Sequence, residues 1–305
     1  MKRRIIKQKS AYTITLPIEW IRDHHLNAKD EIELNEEADG LLIRTQKQPE
    51  LHTISLTLER GTSEYYRIIV ENYYLKGVDI LDLKLNDAHT FPIIQRIVSN
   101  LIGFEIVEHK NNFCKIAATA QPSAEQFNTL LQRSLNIITY TQELVQEDIK
   151  KLSFPRLSEI ETQSNDVRRF LLFCTRTLHK TSITNRKEES FLHLLLERLI
   201  LIEHNHYYLY QKISKIKKPK AREEVKKLYF RVCSLFLLFK EMFFKKDSRH
   251  FAKINKEWEE IYFKEGHELF EKCTKEESII IYHSMYLSKL LFLISQPNLT
   301  TQAVN

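Results

Sequence analysis

The spacing of hydrophobic positions changes along the chain, and each change predicts a different kind of element. From Tyr12 to Leu16 apolar and polar residues alternate through β-branched Thr13, Ile14 and Thr15, which predicts a strand. Pro17 closes it, and Ile18-Glu19-Trp20-Ile21 opens a short helix that ends near Asn27. Glu31 to Leu34 and Leu41 to Ile43 predict two further strands around Ala38-Asp39-Gly40, where Asp-Gly is a hairpin signal. Hairpins around one short helix bury too little apolar surface to fold alone, so residues 1–50 are expected to pair with a second chain.

Residues 51–120 read as a small α/β connector domain. Leu51 to Leu58 alternates as a strand; Tyr66, Ile69, Val70 and Tyr73 then recur at helical spacing, and Gly77 stops that helix. Val78 to Leu83 is a strand, Phe91 to Leu101 a helix with Pro92 in its first turn, and Phe104–Glu108 with Phe113–Ala117 a hairpin across Lys110-Asn111-Asn112. The order β-α-β-α-β-β predicts a small open sheet with helices on one face. No Gly-rich phosphate loop follows any of its strands, which argues against nucleotide binding, and a connector or dimer-supporting domain is favoured over a small-molecule effector site.

Residues 121–305 read as helices throughout. Pro122-Ser123 marks the boundary, with Ser123 as an N-cap and Glu125 in the first turn. Apolar residues recur at three and four, as in Leu192, Leu195, Leu196, Leu199 and Ile202, which predicts bundle helices over 123–151, 155–181, 187–216, 220–246, 249–272 and 275–296. Six helices in two similar halves suggest a tandem three-helix repeat. The fold class expected is therefore multidomain α+β.

Composition narrows the class. With 43% hydrophobic and 28% charged residues the chain reads as a globular, water-soluble protein. Five glycines in 305 residues are few for an α/β enzyme that must cradle a cofactor, and none is expected. The net charge of +6 is mild, but its distribution is not: residues 1–29 carry seven basic and two acidic side chains, and residues 30–50 carry two and seven. Cys114, Cys174, Cys233 and Cys273 form no C-x-x-C pair, which suits reduced thiols in the cytoplasm. The start has charge without an apolar core, unlike a signal peptide, and runs such as Val232 to Phe239 stop short of a span, so no membrane insertion is expected.

Lys2, Arg3, Arg4, Lys7 and Lys9 precede the first acid, Glu19. This basic arm, with Ser10-Ala11-Tyr12-Thr13-Ile14-Thr15-Leu16-Pro17, Glu19-Trp20-Ile21 and Leu26-Asn27-Ala28-Lys29-Asp30-Glu31-Ile32-Glu33-Leu34, resembles the swapped-hairpin, AbrB-like (SpoVT-like) DNA-binding domain. The resemblance implies that two chains interleave their hairpins into one dimeric β-barrel and that the arm and first loop contact double-stranded DNA. The residues so implied are Lys2, Arg3, Arg4, Lys7, Lys9, Ser10, Tyr12 and Arg22. The affinity would come mainly from phosphate neutralisation, with Arg3 or Arg4 able to reach a base edge. The sequence departs from that family at His25-Leu26-Asn27-Ala28, which has no glycine, and Asn27 is expected to take the positive φ the turn needs.

Leu75-Lys76-Gly77-Val78-Asp79-Ile80 and Leu101 to Glu108, and more weakly Asn165 to Phe170 and Leu195 to Leu199, resemble the archaeal phosphate uptake regulators of the PhoU type. That resemblance implies a transcriptional role in phosphate homeostasis, with a PhoU-like bundle that receives a signal or binds a protein of a phosphate transport or signalling system. It also implies paired acids on the bundle for a metal cluster. Here Ser164 and Arg168, Leu201, Trp258, Tyr262, Tyr282 and Tyr286 stand at those places, and of the acids Glu197 alone remains, so the metal site is expected to be lost. A shift of the alignment would bring Glu161, Asp166 or Glu203 into it.

The remaining signals favour structural roles. His204 and His206 lie two apart on a helix and point to different sides, which suits a solvated or interhelical role over a shared ion. Lys212 to Arg222 is a basic turn, and the Phe236, Phe239, Phe243, Phe244 and Tyr207, Tyr208, Tyr210 clusters suit core or dimer packing. No nucleophile–base pattern supports an enzyme. The reading is a homodimeric DNA-binding regulator; its rivals are an adaptor acting through the bundle on a transporter or sensor, and a metal-binding PhoU-type protein. A short AbrB-like antitoxin is disfavoured because the bundle is far larger than a toxin-binding tail.

Overall fold

The computed structural model describes residues 3–37, 40–45, 51–87, 89–181, 183, 186–245 and 249–296. The chain forms two compact units, Met1–His52 and Thr53–Asn305. The first holds two antiparallel hairpins, β1 (Ile6–Gln8) with β2 (Ala11–Thr13) and β3 (Ile32–Glu37) with β4 (Gly40–Thr45), and the helix α1 (Ile18–Asp23) between them. The strand expected to run to Leu16 stops at Thr13, because its partner begins at Ile6 and offers nothing to pair beyond it. That partner, β1, lies in the basic arm, where no strand was expected.

The second unit begins with β5 (Thr53–Thr57), α2 (Ser63–Leu75), β6 (Ile80–Lys84), α3 (Thr90–Val98), β7 (Phe104–Lys110) and β8 (Phe113–Ala118). The sheet runs β5-β6-β8-β7, parallel between β5 and β6 and antiparallel elsewhere. One face is apolar: Leu81, Leu83, Cys114 and Ile116 are buried with Tyr66, Val70 and Tyr74 of α2 and Ile94, Ile97 and Val98 of α3. On the other face Lys115 pairs with Asp82. Gly77 and Gly103 end the two crossovers at φ +78° and +77°, a conformation that disfavours any side chain.

The rest is helical: α4 (Ala124–Lys151), α5 (Leu157–Lys180), α6 (Arg186–Ile213), α7 (Glu223–Lys245), α8 (Arg249–Glu260), a π-turn (Ile261–Glu265), α9 (Gly266–Phe270) and α10 (Lys275–Ser295). Ser123 and Thr274 each close a capping box, with Gln126 and Glu277 respectively. The continuous helix expected over 249–272 is interrupted by the π-turn, where the Gly266 amide donates to the Ile261 carbonyl. The expected breaks at Ser182, Thr184-Asn185 and Lys246-Asp247-Ser248 lie outside the described residues. Among the described residues α10 alone is long and apolar enough to cross a membrane, and half of that stretch is buried in the bundle.

Within this unit α5 ties the sheet layer to the bundle. Lys180 Nζ donates to both Asp79 carboxylate oxygens (2.6 and 2.8 Å), Arg176 Nη1 to the Tyr74 carbonyl (2.7 Å) and Arg168 to Glu71. Arg176 is almost wholly buried, its guanidinium 5.0 Å from the Tyr74 ring and 4.8 Å from the Phe104 ring, where cation–π attraction adds to the hydrogen bond.

Candidate nucleic-acid interface

The β1–β2 hairpin closes on Gln8 opposite Ala11, which leaves Lys9-Ser10 as a two-residue turn. Lys9 sits at φ +51°, in the left-handed region, which for a residue with a Cβ costs about 1–2 kcal/mol. Lys7 lies opposite Tyr12, so a cation and an aromatic ring share one face of the hairpin. Thr13 Oγ1 donates to the Ile6 carbonyl at 3.3 Å. Arg3 and Arg4 precede the hairpin, exposed like Lys7, Lys9, Ser10 and Tyr12. Lys2 lies outside the described residues.

Helix α1 starts where Pro17 holds an extended backbone, with Glu19 in its first turn and Arg22 in its last, as the macrodipole favours. His24 Nδ1 bonds the Trp20 carbonyl at 2.8 Å, and its ring lies 4.6 Å from the indole, which holds it against α1. The chain then reverses at His25 (φ +49°) and Lys29 (φ +82°), not at Asn27 as expected. Asn27 instead stays at negative φ and donates its backbone N–H to Asp30 Oδ2 (2.7 Å). Arg22, on α1, is exposed. Among the described residues no carboxylate pairs with Arg3, Arg4, Lys7, Lys9 or Arg22, so their charge is open to an outside anion.

Many apolar side chains of this unit face outward, while Leu16, Trp20, Ile21, Ile32 and Ile43 are half-buried. Leu26 is its one buried hydrophobic among the described residues, whereas Ile5, Ile6, Tyr12, Ile14, Ile18, Leu34 and Leu41 are exposed, Leu34 to 60% and Leu41 to 62%. Glu37 pairs with Gly40 across the second hairpin, and its expected turn residues Ala38 and Asp39 lie outside the described residues. Large apolar side chains exposed at this density mark an interaction surface.

Residues 5–51 match the family described as antidote-toxin recognition MazE, bacterial antitoxin. The chain thus opens with a MazE-like segment. No curated protein and no solved structure matches the chain. The match stops at the end of the first unit.

The expected bundle residues take structural places. Glu197 is exposed, and Ser164 and Arg168 lie at a cleft beside α2, Arg168 bound to Glu71. Among the described residues no three His, Cys, Asp or Glu side chains are grouped to hold a metal ion. His206 is interhelical: its ring bonds Gln142 (3.1 Å) and the Tyr229 hydroxyl (2.7 Å), and burial pushes its pKa down to about 3. Beside it, the fully buried Glu203 accepts from Thr141 Oγ1 (3.0 Å) while its other oxygen has no partner among the described residues, and burial raises its pKa to about 8. Arg222 of the basic turn pairs with Glu277 at 2.9 Å. The hairpin in the basic arm is what sequence reasoning missed; Ile5-Ile6 beside Lys9-Ser10 was its only signal.

Proposed function

We propose that the chain is a homodimeric, cytoplasmic DNA-binding transcription regulator, in which the first unit of two chains interleaves and grips the duplex. The observation that carries this reading is an unpaired basic hairpin on a MazE-like segment whose apolar side chains are left uncovered. Burying each exposed leucine or isoleucine against a second copy is worth about 1.5–3 kcal/mol, enough in sum to drive obligate pairing. Arg3, Arg4, Lys7, Lys9 and Arg22 then supply phosphate contacts, and Ser10 and Tyr12 add hydrogen bonds.

The helical region, read as two three-helix halves, is the signal or partner module and not an enzyme. Its resemblance to PhoU-type regulators makes control of phosphate uptake the process proposed for it.

The test is duplex binding by the full-length protein across a salt series, beside an Arg3→Ala/Arg4→Ala variant. Log affinity should fall with log salt at about −0.9 per phosphate contacted, and the variant's slope should be shallower. No binding at low salt, or an unchanged variant, sinks the proposal in favour of an adaptor.

A further inference from the structure

Between α2 and α3 of the sheet layer and α5 and α6 of the bundle lies a cleft of about 470 Å³. That is the size of a small-molecule site. Its walls carry guanidiniums from three separate elements: Arg67 on α2, Arg96 on α3, and Arg168 and Arg169 on α5. We infer that this cleft binds a small organic oxyanion, a phosphate ester or a polycarboxylate, with its apolar part against Ile93, Ile97 and Tyr208.

The arginines are held in place before any ligand arrives. Glu71, buried at the base, accepts from Arg67 Nη1 at 2.6 Å and from Arg168 Nη1 and Nη2 at 2.7 and 2.6 Å. Glu64 grips the other edge of Arg67. These carboxylates are spent on internal pairs, which makes them poor ligands for a cation. A guanidinium has five N–H donors, and Arg168 gives only its two terminal nitrogens to Glu71, so donors remain. Arg169 Nε is buried and has no hydrogen-bond partner among the described residues, and its Nη2 pairs with Asp166 at 3.1 Å. An acceptor in the cleft would meet that donor. Arg96 is exposed and pairs with no carboxylate among the described residues, while the nearby Glu161 accepts from the Tyr207 hydroxyl. The unpaired Arg96 and the unmet Nε of Arg169 therefore face a ligand that also needs an apolar wall.

The imidazole on the opposite wall reports the same field. His204 is pushed down to about 4 by burial, and then by the charges of Arg168 and Arg67. The site lies wholly within the second unit, so the inference stands whether or not the first unit binds DNA.

The experiment is calorimetric titration of the full-length protein, without DNA, with phenyl phosphate and with citrate at constant ionic strength, chloride serving as the control anion. Saturable binding is expected with at least one probe, and the preferred probe separates the phosphate-ester source from the carboxylate source. Arg96→Ala and Arg169→Ala, both at partly exposed positions, should each weaken it about tenfold, the loss of one charge-assisted hydrogen bond. A thermal melt confirms that each variant folds. The His204 imidazole, followed by NMR, should titrate at higher pH once the ligand is bound. Absence of binding by either probe, or equal binding by both variants, overturns the assignment.

Discussion

Glu71 accepts two hydrogen bonds from Arg168, at 2.7 and 2.6 Å, and so joins α2 to a helix 97 positions further along the chain. The carboxylate is buried and the guanidinium largely so. Removing one member of such a pair strands the other. Glu71→Ala is expected to cost about 3 kcal/mol in urea unfolding, and adding Arg168→Met should restore part of that loss, because no unpaired charge is then left behind.

Glu203 makes stability depend on pH in an unusual direction. Its carboxyl holds a proton up to about pH 8 in the fold, against an ordinary value of 4.5. The folded state thus binds more protons than the unfolded one between those values, and stability falls as pH rises through that window. The slope is at most about 1.4 kcal/mol per pH unit. Glu203→Gln, which keeps an acceptor for Thr141, should flatten it in urea melts at pH 6, 7 and 8. His206 and His283, pushed down by burial to about 3 and about 4, act oppositely and lower stability below their ordinary value of 6.5.

Gly266 tests the π-turn. A Cβ there would lie 2.5 Å from the Ile261 carbonyl oxygen and 2.6 Å from Met285 Sδ. In an ordinary helix, replacing glycine by alanine stabilises by about 1 kcal/mol. Gly266→Ala should instead destabilise by about 1–3 kcal/mol in thermal unfolding, as overpacking does.

Leu34 and Leu41 test the pairing of the first unit. Each loses about 2 kcal/mol of burial per chain when replaced by aspartate. Sedimentation equilibrium of the Leu34→Asp/Leu41→Asp protein should return the mass of one chain at concentrations where the parent is a dimer.

Lys9 separates backbone from charge. Lys9→Gly relieves the φ of +51° and should raise the melting temperature slightly. The same change should reduce the salt slope of DNA binding by about one phosphate's worth. A variant that gained stability with an unchanged slope would remove Lys9 from the interface.

The helices were legible in the sequence because their evidence is local. Apolar spacing, the cap at Ser123 and the stop at Gly77 all act within a few residues. Strand β1 was hidden because its solvated charges give no alternation to read. Residue preference puts the left-handed turn at Asn27, whereas the chain reverses at His25 and Lys29, and the Asn27 N–H bonds the Asp30 carboxylate instead. The arginine-lined cleft and the Glu203 layer could not be read at all, since their partners lie far away in sequence: 97 positions separate Glu71 from Arg168, and 62 separate Thr141 from Glu203. The residues proposed to contact DNA are readable as charge, but not as a hairpin.

Arg168, Arg176 and Lys180 fall eight and then four positions apart on α5, so they share a face, and each grips the sheet layer. Pro122-Ser123 is therefore a seam in the sequence and not in the mechanics. A protease that cut the exposed Thr119–Gln121 stretch would nick the chain without releasing a fragment. The sheet and the bundle should melt in a single calorimetric transition, so a push on α2 or α3 is felt by α5 as a shared load.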